Sequence, residues 1–233
     1  PALMPRDAET RHEVRRLCAW FDDKFHTEVT SKLLYERVYK KIMGQGFPDY
    51  AIDPRLAQLV TQAMSEGYNQ YALMEGVPGL REQISVKISV THGIAFHPDT
   101  EITITLGATE ALFCAIQAIV GPGDEAIVFD PAYDSYDPAI RLVGGRCIHI
   151  PLQPPAFRYD WDRVAAAITD RTRLIIINTP HNPACSVATS DDLDRLAALV
   201  RERDITVISD EVYEHVTYDG IAHVSVLAHP ALR

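Results

Sequence analysis

An acid and a phenol three residues apart, Asp210 and Tyr213, stand at the carboxyl end of the β-branched run Ile205-Thr206-Val207-Ile208-Ser209. A carboxylate so placed can pair with a cation or accept hydrogen bonds, and a phenol can donate one. A second apolar run, Leu174–Asn178, leads into Asn178-Thr179-Pro180-His181-Asn182-Pro183 and supplies two amides. Gly107-Ala108-Thr109 lies where an extended stretch turns into a helix. The unpaired first-turn N–H groups and the helix dipole suit a phosphate at such a point. Each feature also has a plain structural reading: Thr109 as a helix N-cap, Asp210 as a cap after a strand, Tyr133 as an aromatic in a proline-bounded turn. What joins them is position, since ligands of open parallel sheets bind beyond the carboxyl ends of the strands.

The elements that must position these residues are legible in the pattern. Helices are predicted over Pro54–Ser65, Gly79–Thr91, Thr109–Val120 and Asp191–Arg203, the third stopped by Gly121-Pro122-Gly123. Strands are predicted over Ala126–Phe129, Arg146–Ile150, Leu174–Asn178 and Ile205–Ser209, with a further strand feeding Gly107. Alternation of short, doubly apolar strands with helices predicts an α/β fold with a mainly parallel sheet between helices. Ahead of it, residues 7–29 and 31–43 predict an amphipathic helical hairpin, with Val14, Leu17, Cys18, Phe21 and Phe25 on one stripe. Charge shifts at Gly44: nine basic against seven acidic residues precede it, and 13 against 25 follow. Two segments, 1–43 and 44–233, are therefore expected.

Composition narrows the function. The 233 residues are 47% hydrophobic and carry a net charge of −10, with no basic stripe for a nucleic-acid backbone. No apolar run approaches the roughly 20 residues that cross a bilayer, and the start has no signal-peptide pattern. The four cysteines are scattered without a C-x-x-C pair, which fits free thiols in a reducing cytoplasm. Nine histidines show no H-E-x-x-H spacing, so no metal site is expected.

Taken together, Leu106-Gly107-Ala108-Thr109-Glu110-Ala111, Asp130-Pro131-Ala132-Tyr133-Asp134-Ser135-Tyr136, the Asn178–Pro183 loop and Asp210-Glu211-Val212-Tyr213 resemble the fold-type I class I/II aminotransferases, which use pyridoxal 5'-phosphate (PLP). The resemblance covers about Gly44 to Arg233, and its nearest flavour is the methionine/kynurenine (glutamine-type) branch. It implies that Gly107, Ala108 and Thr109 hold the phosphate, and that Tyr133 lies on the pyridine face. Asp210 would pair with the pyridine nitrogen, Asn182 and Tyr213 would reach the ring's phenolic oxygen, and Asn178 would support Asn182. Tyr71, in Tyr68-Asn69-Gln70-Tyr71-Ala72-Leu73, would reach the phosphate of a neighbouring subunit, which implies a homodimer. Gly46 and Asn182 would lie against the substrate carboxylate.

Such a site transfers an amino group from an amino acid to a 2-oxo acid; β-elimination from cysteine conjugates uses the same contacts. The family's Schiff-base lysine follows this region in a Ser-x-x-Lys segment, but the last lysine here is Lys87. No catalytic residue is thus assigned, and the chain as given is expected to be an inactive, truncated large domain or a non-catalytic fused fragment. Residues 1–43 separately resemble the carboxyl-terminal helical segment of glutathione S-transferases.

Overall fold

Strands that are apolar on both faces must be covered on both faces, and the helices between them do this. The computed structural model describes residues 52–232. The described residues part into two units between Gln70 and Tyr71. Before the boundary lies helix α1 (Pro54–Ser65), where Pro54 occupies the first turn and the Asp53 carboxylate accepts from the Arg55 backbone N–H at 2.8 Å.

After the boundary the elements run α2 (Pro78–His92), α3 (Gly107–Ile119), β1 (Glu125–Asp130), α4 (Tyr136–Leu142), β2 (Arg146–Pro151), α5 (Trp161–Ala167), β3 (Thr172–Asn178), α6 (Ser190–Val200) and β4 (Thr206–Asp210). Two 3-10 turns, Val226–Ala228 and Pro230–Leu232, close the described chain. The four strands pair in parallel in the order β2-β1-β3-β4. The central strands β1 and β3 are buried almost throughout, while the outer strands β2 and β4 are only partly covered. Ile127, Phe129, Ile175 and Ile177 pack with Trp161, Val164, Leu193 and Leu196 of α5 and α6 on one face. Ala126, Val128, Leu174 and Ile176 pack with Leu112, Ile116, Ala139 and Ile140 of α3 and α4 on the other. The period-2 alternation of a strand sends neighbouring residues to opposite cores.

Local chemistry anchors the layers. Thr189 and Asp192 form a capping box at the start of α6. The same Asp192 carboxylate accepts from Trp161 Nε1 at 2.9 Å, which ties α5 to α6. Glu125, buried at the head of β1, accepts from the Thr169 hydroxyl at 2.6 Å and from Arg171 at 3.0 Å. The Thr169 bond, reinforced by Arg171 against the cost of burial, holds this carboxyl below its usual range.

The structure departs from the expected elements in three places. The strand expected before Gly107 does not form: residues 102–105 have no ladder partner among the described residues, and their backbone bonds are Ile104 N–H to Glu75 C=O at 2.9 Å and Gly107 N–H to Thr105 C=O at 2.8 Å. Helix α3 starts at Gly107 with Leu106 as N-cap, so Thr109 sits within the first turn and caps nothing. Two seven-residue helices, α4 and α5, were absent from the expectation; such short helices leave too few periods to read. The helices expected over residues 7–29 and 31–43, the boundary at Gly44 and the glutathione S-transferase likeness lie outside the described residues.

Candidate functional site

Strand order changes direction between β1 and β3, and there the loops beyond the carboxyl ends diverge to leave a crevice. A cavity of about 210 Å³ occupies it, lined by Ala108, Thr109, Leu112, Tyr133, Asn178, Asn182, Asp210, Val212 and Tyr213. Of the residues singled out from the sequence, seven meet here from four separate elements. The first turn of α3 brings Ala108 and Thr109, and the loop after β1 brings Tyr133. The loop after β3 brings Asn178 and Asn182, and the end of β4 brings Asp210 and Tyr213.

Gly107 does not line the cavity but shapes its wall. Its φ of +76° lies where a side chain is strained, although nothing crowds the space a Cβ would take. From it the chain enters α3, whose first-turn N–H groups have no carbonyl within the helix to bond. Tyr71 is fully exposed and does not line this cavity. Gly46 lies outside the described residues.

Asp210 is buried at the end of β4, opposite Asn178 in the parallel register. Its carbonyl accepts from Asn178 Nδ2 at 2.9 Å and from the Thr179 N–H at 3.0 Å. The other end of the Asn178 amide, Oδ1, accepts from the Asn182 N–H at 2.6 Å. One buried amide thus sets both the tip of β4 and the loop carrying Asn182. Side-chain groups of Asn182 and Tyr213 bond no other described residue, which leaves them free to meet a ligand.

Two residues near Asp210 had no assigned role from sequence. Tyr136 donates its hydroxyl to Asp210 Oδ2 at 2.6 Å and stands edge-on to Tyr133, ring centroids 5.6 Å apart. Burial, then the adjoining carboxylate, push its phenol far above the usual range, so it stays a donor. His181 is buried, and burial lowers its proton affinity against the opposing pull of Asp210. Its Nδ1 accepts from the Ala184 N–H at 3.3 Å, which places the ring proton on Nε2. Tyr136 carries a weak signal in retrospect: it lies three residues after Tyr133 in the same segment.

A second, more apolar cavity of about 460 Å³ shares Asn182 and Tyr213 and continues along Pro180, Cys185, Val187, Val216 and Ile221. Another, of about 430 Å³, lies between Thr169–Arg173 and Glu202–Ile205 at the amino ends of β3 and β4, away from the crevice.

Comparison with known proteins finds relatives over most of the chain. A family model described as aminotransferase class I and II matches residues 40–231. The methionine aminotransferase of Escherichia coli is 49% identical over 191 residues, which is 82% of this chain and 50% of that protein. Kynurenine–oxoglutarate transaminase 1 of Rattus norvegicus is 36% identical over 203 residues, 82% of this chain and 48% of its own length. A crystal structure of the Escherichia coli methionine aminotransferase superposes with a TM-score of 0.79 at 50% identity, covering 81% of this chain and 50% of that one. That of N-succinyldiaminopimelate aminotransferase from Mycobacterium tuberculosis gives 0.78 at 35% identity, covering 82% and 52%. The chain spans about half the length of the relatives it matches.

Proposed function

From the premise that the chain belongs to the class I and II aminotransferase family, we propose that its crevice takes pyridoxal 5'-phosphate and serves amino transfer from a methionine-, aromatic- or glutamine-type amino acid to a 2-oxo acid. One observation carries this reading: a buried carboxylate, Asp210, opens onto the same cavity as a helix N-terminus and an aromatic ring. The donor set fits the group. Thr109 and the α3 N–H groups suit a phosphate dianion. Tyr133 offers a face to the pyridine, and stacking of this kind adds about 1 kcal/mol beyond burial.

Asp210 would keep the pyridine nitrogen protonated, because an opposite charge at contact raises proton affinity by roughly one to three units. Bound there, the cofactor supplies an electron sink for the pair released when a substrate Cα–H bond breaks. Asn178 acts on Asp210 and Asn182 rather than on the ligand. Asn182 and Tyr213 would donate to the ring's phenolic oxygen, and Asn182 would also meet the substrate carboxylate.

Lys87 is the last lysine of the sequence, and its ammonium pairs with the Glu214 carboxylate rather than lining the cavity. We therefore propose that these 233 residues hold the cofactor without a covalent anchor and do not transaminate by themselves. Gly46 is proposed for the substrate carboxylate, and Tyr71, exposed and apart from its own cavity, for the phosphate of a second copy in a homodimer. Free Cys114, Cys147 and Cys185 support a reducing cytoplasm as the working compartment.

The test is a fluorescence titration of the purified chain with the cofactor and with unphosphorylated pyridoxal. Saturable one-to-one uptake, much weaker for pyridoxal, is expected, together with no conversion of methionine and a 2-oxo acid. Absence of saturable uptake would favour a non-catalytic segment instead.

A further inference from the structure

Four side chains with metal-binding chemistry gather on the α3/α4 side of the sheet, outside the cavity. Cys147 and His149 are two residues apart in β2, so both project to one face of this outer strand. Asp137 comes from the first turn of α4, and Asp130 ends the neighbouring strand β1. The ligand atoms of Asp137, Cys147 and His149 all lie within 4.8 Å of one another. His149 Nε2 is 3.4 Å from Asp137 Oδ1, and His149 Nδ1 is 2.9 Å from Asp130 Oδ1.

We propose that Asp137, Cys147 and His149 bind one divalent ion of borderline-soft character, with zinc the best fit, and that Asp130 orients the imidazole. The donor set of one oxygen, one sulfur and one nitrogen suits zinc, whereas calcium and magnesium demand oxygen ligands. Tetrahedral zinc, with bonds of about 2.0–2.3 Å, places its ligand atoms roughly 3.3–3.8 Å apart. The present spacing, within 4.8 Å, exceeds that range by at most about 1.5 Å. An Nδ1–H donated to Asp130 leaves Nε2 bare toward Asp137 and Cys147, the arrangement in which a carboxylate fixes the tautomer of a metal-bound histidine.

Charge balances as well. The Cys147 thiol gives its proton to solvent as the sulfur–metal bond forms, and the thiolate with the Asp137 carboxylate then neutralises the ion. Without the ion, Arg141 covers Asp137 through Nε at 2.8 and 2.7 Å from its two oxygens. That pair is exposed and one helical turn apart, so displacing or reorienting it costs little. The site escapes a linear motif because its donors come from a helix and a strand, with the orienting acid on another strand.

The full chain, stripped with chelator, is titrated with Zn²⁺ and Co²⁺. One ion per site is expected, with a thiolate-to-cobalt charge-transfer band that Cys147→Ser abolishes. Zn²⁺ should slow alkylation of Cys147, read peptide by peptide, while exposed Cys114 and Cys185 keep reacting. His149→Ala and Cys147→Ser should each weaken Zn²⁺ by at least about tenfold, and Asp130→Asn by about 10- to 100-fold. Zinc protection that is absent, or equal at Cys114, Cys147 and Cys185, overturns the site, as does a cobalt band unchanged in Cys147→Ser. Should a variant fail to fold, the alkylation pattern of the unmodified chain decides; if Cys147 alkylates too slowly to follow, lack of a cobalt–thiolate band in that chain overturns the site.

Discussion

Tyr136 and Asp210, 74 residues apart in sequence, meet in a buried 2.6 Å hydrogen bond. The phenol takes one oxygen of the carboxylate and leaves the other with only a 3.3 Å bond from the Val212 N–H. Asp210, which lines the cavity, is thus held in one orientation.

Replacing Tyr136 with Phe keeps the ring and removes that donor. A hydrogen bond to a charged group contributes about 1.5–3 kcal/mol, and loss of stability in that range is expected by urea denaturation. A variant as stable as the parent would show that the bond holds nothing in place.

Asn178→Ala removes the partner of the Asn182 N–H and leaves the Asp210 carbonyl with the Thr179 N–H alone. Leaving that N–H unsatisfied costs about 1–3 kcal/mol. The expected outcome is a lower melting temperature together with weakened cofactor uptake. Unchanged uptake in a folded variant would separate Asn178 from the site.

Much of this arrangement was legible in the sequence, and the exceptions have physical causes. Helix Pro54–Ser65 was expected with those limits, since Asp53 and Pro54 mark its start and its apolar spacing is regular. The strands β1 to β4 were expected within a residue or two, because buried parallel strands read as continuous apolar runs. The stretch before Gly107 has the same β-branched composition, yet a strand needs a ladder partner, and residues 102–105 have none among the described residues. Asp210 could be singled out from its place at a strand end. Its bond to Tyr136 could not, because contacts between distant segments leave no local period.

Gly76 gives a test of the segment that leads to the Gly107 turn. Its φ is +100°, and a Cβ there would collide with the side chain of Ile104. Gly76→Ala should destabilise the protein by about 1–3 kcal/mol through strain and overpacking. A neutral substitution in a thermal melt would mean that this stretch relaxes freely.

The pH dependence should carry the mark of Glu211, next to Asp210. Burial pushes its carboxyl up, but hydrogen bonds from His223, Ser209, Ser225 and the Val226 N–H outweigh this and hold it below its ordinary 4.5. A folded-state value below the unfolded one stabilises above the unfolded value, and the gain is lost as pH falls through the folded value. The parent should therefore lose stability on acidification below about 4.5, and Glu211→Gln should show a flatter profile there. Equal slopes in denaturant melts across that window would contradict the assignment.

The account rests on a carboxylate that meets a protonated ring nitrogen, and the most direct measurement is cofactor affinity of the chain against its Asp210→Asn variant. Loss of that charge should weaken binding by about 10- to 1,000-fold, the equivalent of one to three units of proton affinity. The variant should remain folded, since the amide can still accept from Tyr136. Equal affinity in the two proteins, with both shown to be folded, would contradict the account.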